Sequence, residues 1–189
     1  MKPPIILASN SPRRKNLLRQ IDMEFEVKPS TVNEDFDIDL PPLEFTRHYA
    51  RLKAAELADR YPDHLIIGAD TIVVLAGNIL GKPFDAEDSF RMLSSLSGQT
   101  HTVITGVSLQ WQTAGIEDTF HESTRVTFKS LTEQDIKYYI ENYRPFDKAG
   151  SYGIQDWFAT CVAGIEGCFY NVMGFPLATF YDHYRRLVR

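Results

Sequence analysis

Eleven residues, Leu65-Ile66-Ile67-Gly68-Ala69-Asp70-Thr71-Ile72-Val73-Val74-Leu75, constrain the fold more than any other segment. The run is apolar and rich in β-branched side chains, so it predicts a central, buried strand. Asp70 interrupts it. A carboxylate in such a strand must be paired, hydrogen-bonded or bound to metal. At the functional end of a strand it is a general base or a metal ligand. The other reading is a structural ion pair, and the residue type alone leaves both open.

The flanking segments predict alternating strands and helices. Pro4 to Ala8 reads as a short buried strand. Ser11 suits an N-cap and Pro12 the first helical position, with Leu17, Leu18 and Ile21 as the apolar stripe. A strand is expected near Phe25–Lys28, then a helix from Leu43 to Tyr61 that Pro62 ends. Ala76-Gly77-Asn78 turns the central strand back into Ile79 and Leu80. Asp85, with Asp88 three residues on, starts a helix that Gly98 ends. His101 to Trp111 and Thr119 to Phe128 read as long strands. Thr132 and Asp135 start a helix running to about Tyr143. Residues 144–156 read as a loop. Trp157 to Val172 reads as two strands joined at Glu166-Gly167, and Pro176 opens a last helix ending in Arg185, Arg186 and Arg189. The class is α/β, a mixed sheet with helices against it. A chain of 189 residues fits one domain, or two small lobes around one cleft.

Charge narrows the partners. The formal net charge is -5, which offers no global attraction to nucleic acid or an anionic membrane, so positive charge for an anionic partner must be local. No apolar window is long enough for a membrane-spanning helix, and no signal peptide is expected. Cys161 and Cys168 have neither zinc nor redox spacing and read as free thiols in a reducing cytoplasm. His48, His64, His101, His121 and His183 show no metal-ligand spacing. Neither a Gly-x-Ser-x-Gly elbow nor a Gly-x-Gly-x-x-Gly fingerprint is present.

Three segments carry candidate chemistry beside Asp70. Arg13 and Arg14 fall in the first turn of a helix, where positive charge opposes the macrodipole and free backbone N–H groups point outward. The pair reads either as an anion site or as two solvated arginines. Gly77 to Pro83 is not a phosphate-binding P-loop: three residues separate its glycines and Pro83 follows Lys82. Lys82 still suits a phosphate contact as a point charge. Asp147 to Gln155 contains glycines that let backbone approach a ligand, and the Gln155 amide can both donate to and accept from a nucleobase edge. An ordinary surface loop is the competing reading.

Five segments together resemble the Maf family of nucleoside triphosphate pyrophosphatases: residues 7–18 (LASNSPRRKNLL), 67–74 (IGADTIVV), 80–83 (LGKP), 96–109 (LSGQTHTVITGVSL) and 147–155 (DKAGSYGIQ). Residues 171–177 (NVMGFPL) match more weakly. The resemblance covers nearly the whole chain in the family's order. It implies a Maf/ITPase-like fold: an extended mixed sheet bent around a cleft between two lobes, flanked by helices, in one domain spanning residues 1–189 and usually in a homodimer. It implies hydrolysis between the α- and β-phosphates, with magnesium or manganese. By position, Asp70 would accept the proton of the attacking water. Ser9, Arg13, Arg14, Lys53 and Lys82 would hold the triphosphate, and Glu34 would bind metal beside Asp70. Arg13, Thr71 and Gln155 would set base choice. One branch of the family acts on dTTP and UTP, another on 7-methyl-GTP with Gln and Glu at positions 71 and 155. Thr71 and Gln155 match the first branch. Asp156 and Phe175 depart from the pattern, where glycine and leucine are usual. The implied partner is a nucleoside triphosphate in the cytoplasm. The competing readings are a nucleotide-binding regulator of cell division without significant turnover, or a 7-methyl-GTP pyrophosphatase of the sister branch.

Overall fold

A computed structural model describes residues 3–188. The elements in chain order are β1 (Ile5–Leu7), α1 (Pro12–Gln20), β2 (Glu26–Val27), α2 (Pro42–Ala58), β3 (Leu65–Leu75), β4 (Asn78–Leu80), α3 (Ala86–Leu96), β5 (Thr100–Trp111), β6 (Ile116–Phe128), α4 (Glu133–Tyr143), β7 (Val162–Glu166), α5 (Phe169–Val172) and α6 (Leu177–Leu187). The chain is α/β, with one open, mixed seven-stranded sheet flanked by helices.

The sheet order is β2-β1-β3-β5-β6-β7, with β4 also on β3. Strand β3 is central, as its apolar run predicts. Along one edge it pairs with β5 antiparallel, from Ile66 opposite Gln110 to Val74 opposite Thr102. The other edge is shared. β1 lies parallel to its start, as far as Leu7 opposite Ile67. β4 lies antiparallel to its end, from Val73 opposite Leu80. Between Ile67 and Val73 no described strand covers that edge. Asp70 and Thr71 therefore sit where the sheet has a gap in an otherwise buried strand.

Side-chain alternation sorts β3 between two layers. Ile66 packs with Ala54, Leu57 and Ala58 of α2, and Ile72 with Phe45 and Tyr49 of the same helix. On the other face, Leu65, Ile67 and Ala69 join Leu17 and Leu18 of α1 and Phe180 of α6. Val73 joins a separate cluster with Leu93 of α3 and Tyr139 of α4. Helix α2 lies very close to the sheet. A Cβ on Gly68 would stand 2.2 Å from the Ala50 carbonyl oxygen, and one on Gly106 would stand 2.4 Å from the Thr46 carbonyl oxygen. Gly106 is the cross-strand partner of Asp70.

The local start signals hold. Ser11 Oγ accepts the Arg14 N–H, Asp85 Oδ1 accepts the Asp88 N–H, and Thr132 with Asp135 forms a reciprocal capping box. Helix α2 ends at Ala58, three residues short of the expected Tyr61, because the Leu57 carbonyl takes the N–H groups of both Arg60 and Tyr61 and tightens the turn. β6 starts earlier than expected, at Ile116, after a left-handed Gly115. The two strands expected over 157–172 are corrected. Trp157–Cys161 is a 3-10 helix, Val162–Glu166 is the one strand, and Phe169–Val172 is a short helix. Asp156 caps the 3-10 turn through the Phe158 N–H, and Phe158 and Cys161, three apart, are the buried pair. Arg189 lies outside the described residues.

Two predictions follow from this packing. Gly106→Val should destabilise the fold by about 3 kcal/mol, since backbone of α2 must move to admit the side chain; urea denaturation measures it. His101 is 2% exposed, its Nε2 lies 2.8 Å from the Tyr152 hydroxyl, and burial pushes its pKa down to about 4 from 6.5. A group with a depressed folded pKa of this basic type gives stability that is full above 6.5 and is lost as pH falls toward 4. Between pH 7 and pH 4.5 the wild type should lose about 2–3 kcal/mol that a His101→Gln variant does not lose.

Candidate active site

The gap in the sheet opens into a cleft of about 400 Å³, within the usual size of small-molecule sites. Asp70 reaches it on the face covered by α2. Positions 46, 50, 53, 54 and 57 of that helix are buried against the sheet at helical spacing, and Lys53 is one of them. Its ammonium therefore meets the strand. Lys53 Nζ lies 2.7 Å from Asp70 Oδ1 and 2.5 Å from Glu34 Oε1, the latter carried by the loop between β2 and α2. The Lys53 and Asp70 side chains are 11% and 5% exposed, so a buried ion pair of these two is joined by the half-buried Glu34 carboxylate.

The two carboxylates are pushed in opposite directions. Burial raises the Asp70 pKa, and the Glu34 charge adds to it against the pull of Lys53. Burial also acts to raise Glu34, but the charge and hydrogen bond of Lys53, with the charge of Lys82 behind them, outweigh it and leave Glu34 lowered. Separation of two neighbouring carboxylates into a proton acceptor and a fixed anion is the pattern of an acid–base site. Asp70 Oδ2 is buried and has no hydrogen-bond partner. Such an atom is costly unless a ligand, water or cation meets it.

Arg14 reaches the cleft from the other side. Its Nε donates to the Gly174 carbonyl at 2.9 Å, Nη1 to Ser9 Oγ at 3.2 Å and the Ala69 carbonyl at 2.9 Å, and Nη2 to Thr71 Oγ1 at 3.0 Å. The solvated reading of this arginine is thereby excluded. Ala69 lies in the uncovered stretch of β3, so the guanidinium supplies a donor that a neighbouring strand would have supplied. Burial lowers the Arg14 pKa, opposed by Asp70, yet an arginine stays charged under such conditions. The Thr71 hydroxyl is also 3.0 Å from Thr105 Oγ1 and 3.3 Å from the Gly174 carbonyl.

All nine residues proposed from sequence line this one cleft: Ser9, Arg13, Arg14, Glu34, Lys53, Asp70, Thr71, Lys82 and Gln155. Ser9 is buried, whereas Lys82 and Gln155 are exposed on its walls. Five cations (Arg13, Arg14, Lys53, Lys82 and Lys148) face three carboxylates there (Glu34, Asp70 and Asp147). The cleft is thus locally positive in a chain of net charge -5.

A family model described as Maf-like protein matches residues 4–187. The chain belongs to the Maf family. Among its curated relatives, a dTTP/UTP pyrophosphatase of Halalkalibacterium halodurans is 49% identical over 175 residues, 93% of this chain and 91% of the relative. One of Phocaeicola vulgatus is 47% identical over 189 residues, covering 98% and 97%. One of Flavobacterium johnsoniae is 43% identical over 189 residues, covering 99% and 96%.

Sequence reasoning assigned no role to Asp147 and Lys148, although it singled out their segment. Asp147 Oδ2 lies 2.9 Å from Arg13 Nη1 and its Oδ1 lies 2.8 Å from Lys148 Nζ, so it holds two cleft cations at once. Alternating charge in Asp147-Lys148 was the available signal, but Arg13 is 134 residues away.

The triad makes a testable demand on stability. Lys53→Met leaves the buried Asp70 and the half-buried Glu34 without their cation and should cost about 3 kcal/mol. Adding Asp70→Asn to that variant should recover part of the loss. Strictly additive losses in urea denaturation would contradict the pairing.

Proposed function

We propose that this Maf protein hydrolyses dTTP and UTP, with modified pyrimidine nucleotides as further candidates, to the monophosphate and pyrophosphate. The observation that carries the reading is the Lys53-bridged pair of Glu34 and Asp70 inside a positive cleft, in a chain 43–49% identical to proteins named dTTP/UTP pyrophosphatase. A triphosphate carries about four negative charges, and phosphoryl transfer is helped chiefly by neutralising and positioning them.

Asp70 is the proton acceptor in this reading. Its raised pKa suits a base that takes a proton from water, and Oδ2 is the oxygen left open to do so. Lys53 orients Asp70 through Oδ1 and keeps the pair of carboxylates from repelling. Lys82 and Arg13 stand as phosphate contacts, with Ser9 as a neutral donor. Arg14 has four of its five donors committed to protein acceptors, so its part is to hold the cleft wall and lend it charge. Thr71, Gln155 and Arg13 set base choice in this reading, with Gln155 an exposed side chain on the cleft wall.

Magnesium or manganese fits the same carboxylates. Hard divalent cations take oxygen ligands, commonly one or two carboxylates completed by phosphate. Asp70 Oδ2 is an unpartnered oxygen, and Glu34 is its neighbour across Lys53. Among the described residues no group of three or more His, Cys, Asp or Glu could hold an ion, so phosphate oxygens would complete the shell. When bound, the cation would neutralise phosphate charge.

The family resemblance carries the rest of the reading: two lobes around the cleft, a homodimer, and a cytoplasmic place. Separate apolar clusters at the two ends of β3 support the lobes, and the free Cys161 and Cys168 support a reducing compartment. No described helix is long and apolar enough to cross a membrane. The net charge favours a small anionic substrate over nucleic acid.

A nucleotide panel with magnesium tests the function. dTTP and UTP should each give equal amounts of monophosphate and pyrophosphate. Orthophosphate with a diphosphate would refute the cleavage position, and binding without turnover would assign a regulator instead. Asp70→Asn should lower kcat by about 10³-fold or more while the fold persists. An active Asp70→Asn protein would remove Asp70 as the base.

A further inference from the structure

Asp156 follows Gln155 and adds a charge beside the proposed base pocket. In the structure it turns from the cleft and holds other groups. Its Oδ1 accepts the Phe158 N–H at 3.1 Å, and its Oδ2 accepts the Tyr139 hydroxyl at 3.0 Å. The Tyr139 oxygen in turn accepts the Gly153 N–H at 3.0 Å. A phenol has one proton and two lone pairs, so this arrangement uses it in one sense only: Gly153 donates to Tyr139, which donates to Asp156. Burial, reinforced by the Asp156 charge, raises the Tyr139 pKa and keeps that proton in place.

The relay closes around Gln155. Tyr139 is fully buried on α4, a helix whose start is set by its capping box. Gly153 is hemmed in, since a Cβ there would lie 2.8 Å from Lys148 Cε and 2.9 Å from Asp156 Oδ2. Ile154 is 6% exposed in the apolar cluster under α1 and α6. Residues 153, 154 and 156 are all held, and Gln155 between them is the exposed side chain on the cleft wall. An amide side chain presents an oxygen or an NH₂ according to its rotation. Uracil and thymine differ from cytosine in donor and acceptor order along this edge, so the position from which the Gln155 amide reaches the base decides how well it pairs with each.

We propose that Asp156 is a positioning residue for base choice, fixing through Tyr139 and Gly153 the backbone from which Gln155 reads a pyrimidine edge. The proposal rests on the nucleoside triphosphate pyrophosphatase reading and on Gln155 as the base-reading side chain. Asp156 itself touches no substrate. A site built on hydrogen bonds rejects a mismatched edge strongly only while its donors stay fixed.

The test compares kcat and KM for dTTP and dCTP in the wild type, Asp156→Ala, Asp156→Asn and Tyr139→Phe. Asp156→Ala and Tyr139→Phe should each raise KM for dTTP about tenfold, with kcat within about twofold. Each should also lower the dTTP-to-dCTP ratio of kcat/KM by about tenfold. Asp156→Asn keeps one acceptor oxygen for the two donors, the Tyr139 hydroxyl and the Phe158 N–H, so its ratio should fall between those of the wild type and Asp156→Ala. A merely structural residue would lower turnover of both nucleotides together and leave the ratio intact, and that result overturns the proposal. So does an Asn variant no better than Ala. A wild type that turns over dTTP while the variants keep its ratio overturns this proposal alone. A wild type that turns over no nucleoside triphosphate overturns the function and the proposal together.

Discussion

The ion pair between Lys53 and Asp70 is the contact on which the candidate site depends, and it exists because α2 lies almost on the sheet. Gly68 and Gly106 permit that approach. Any Cβ at either position would meet backbone of α2 at under 2.5 Å. With the helix this close, a lysine on its buried stripe is largely withdrawn from water and needs anions beside it. Asp70, opposite Gly106, and Glu34, from the loop that precedes the helix, provide them. Around one ammonium, burial raises the pKa of Asp70, while the nearby cations leave that of Glu34 lowered.

The second constraint is the uncovered stretch of β3. A sheet that lets β1 and β4 share one edge leaves five residues between them without a strand partner. Arg14 closes part of that stretch by donating to Ala69, and it ties the same wall to Ser9, Thr71 and Gly174. The gap is thus both braced and open. It is also positive, which is how an acidic chain can hold a highly charged anion: the attraction is local, as the net charge required.

Much of this was legible where the signal is local. The apolar run over 65–75, the caps at Ser11, Asp85 and Thr132, and the oddity of a carboxylate at 70 can each be read within a few residues. Arg13 and Arg14 were visible as charges against a helix dipole, but their directions were not, because Asp147 and Gly174 lie more than 130 residues away. Lys53 carries no local signal at all. A lysine in an amphipathic helix reads as solvated, and only its resemblance-based position pointed to the site. The close approach at Gly68 and Gly106 was likewise hidden, since a glycine in a strand shows what it lacks and not what lies above it. The region 157–172 was misread because apolar and aromatic runs there looked like strands, whereas Asp156 and the buried Phe158 and Cys161 wind it into a 3-10 turn.

The central claim is that water attacks the α-phosphorus of a nucleoside triphosphate bound in this cleft. Hydrolysis of dTTP in ¹⁸O-labelled water followed by mass spectrometry of both products tests it directly. Attack at the α-phosphorus places one labelled oxygen in the monophosphate and none in the pyrophosphate. Label in the pyrophosphate would mean attack at the β-phosphorus, and would contradict this account of the site.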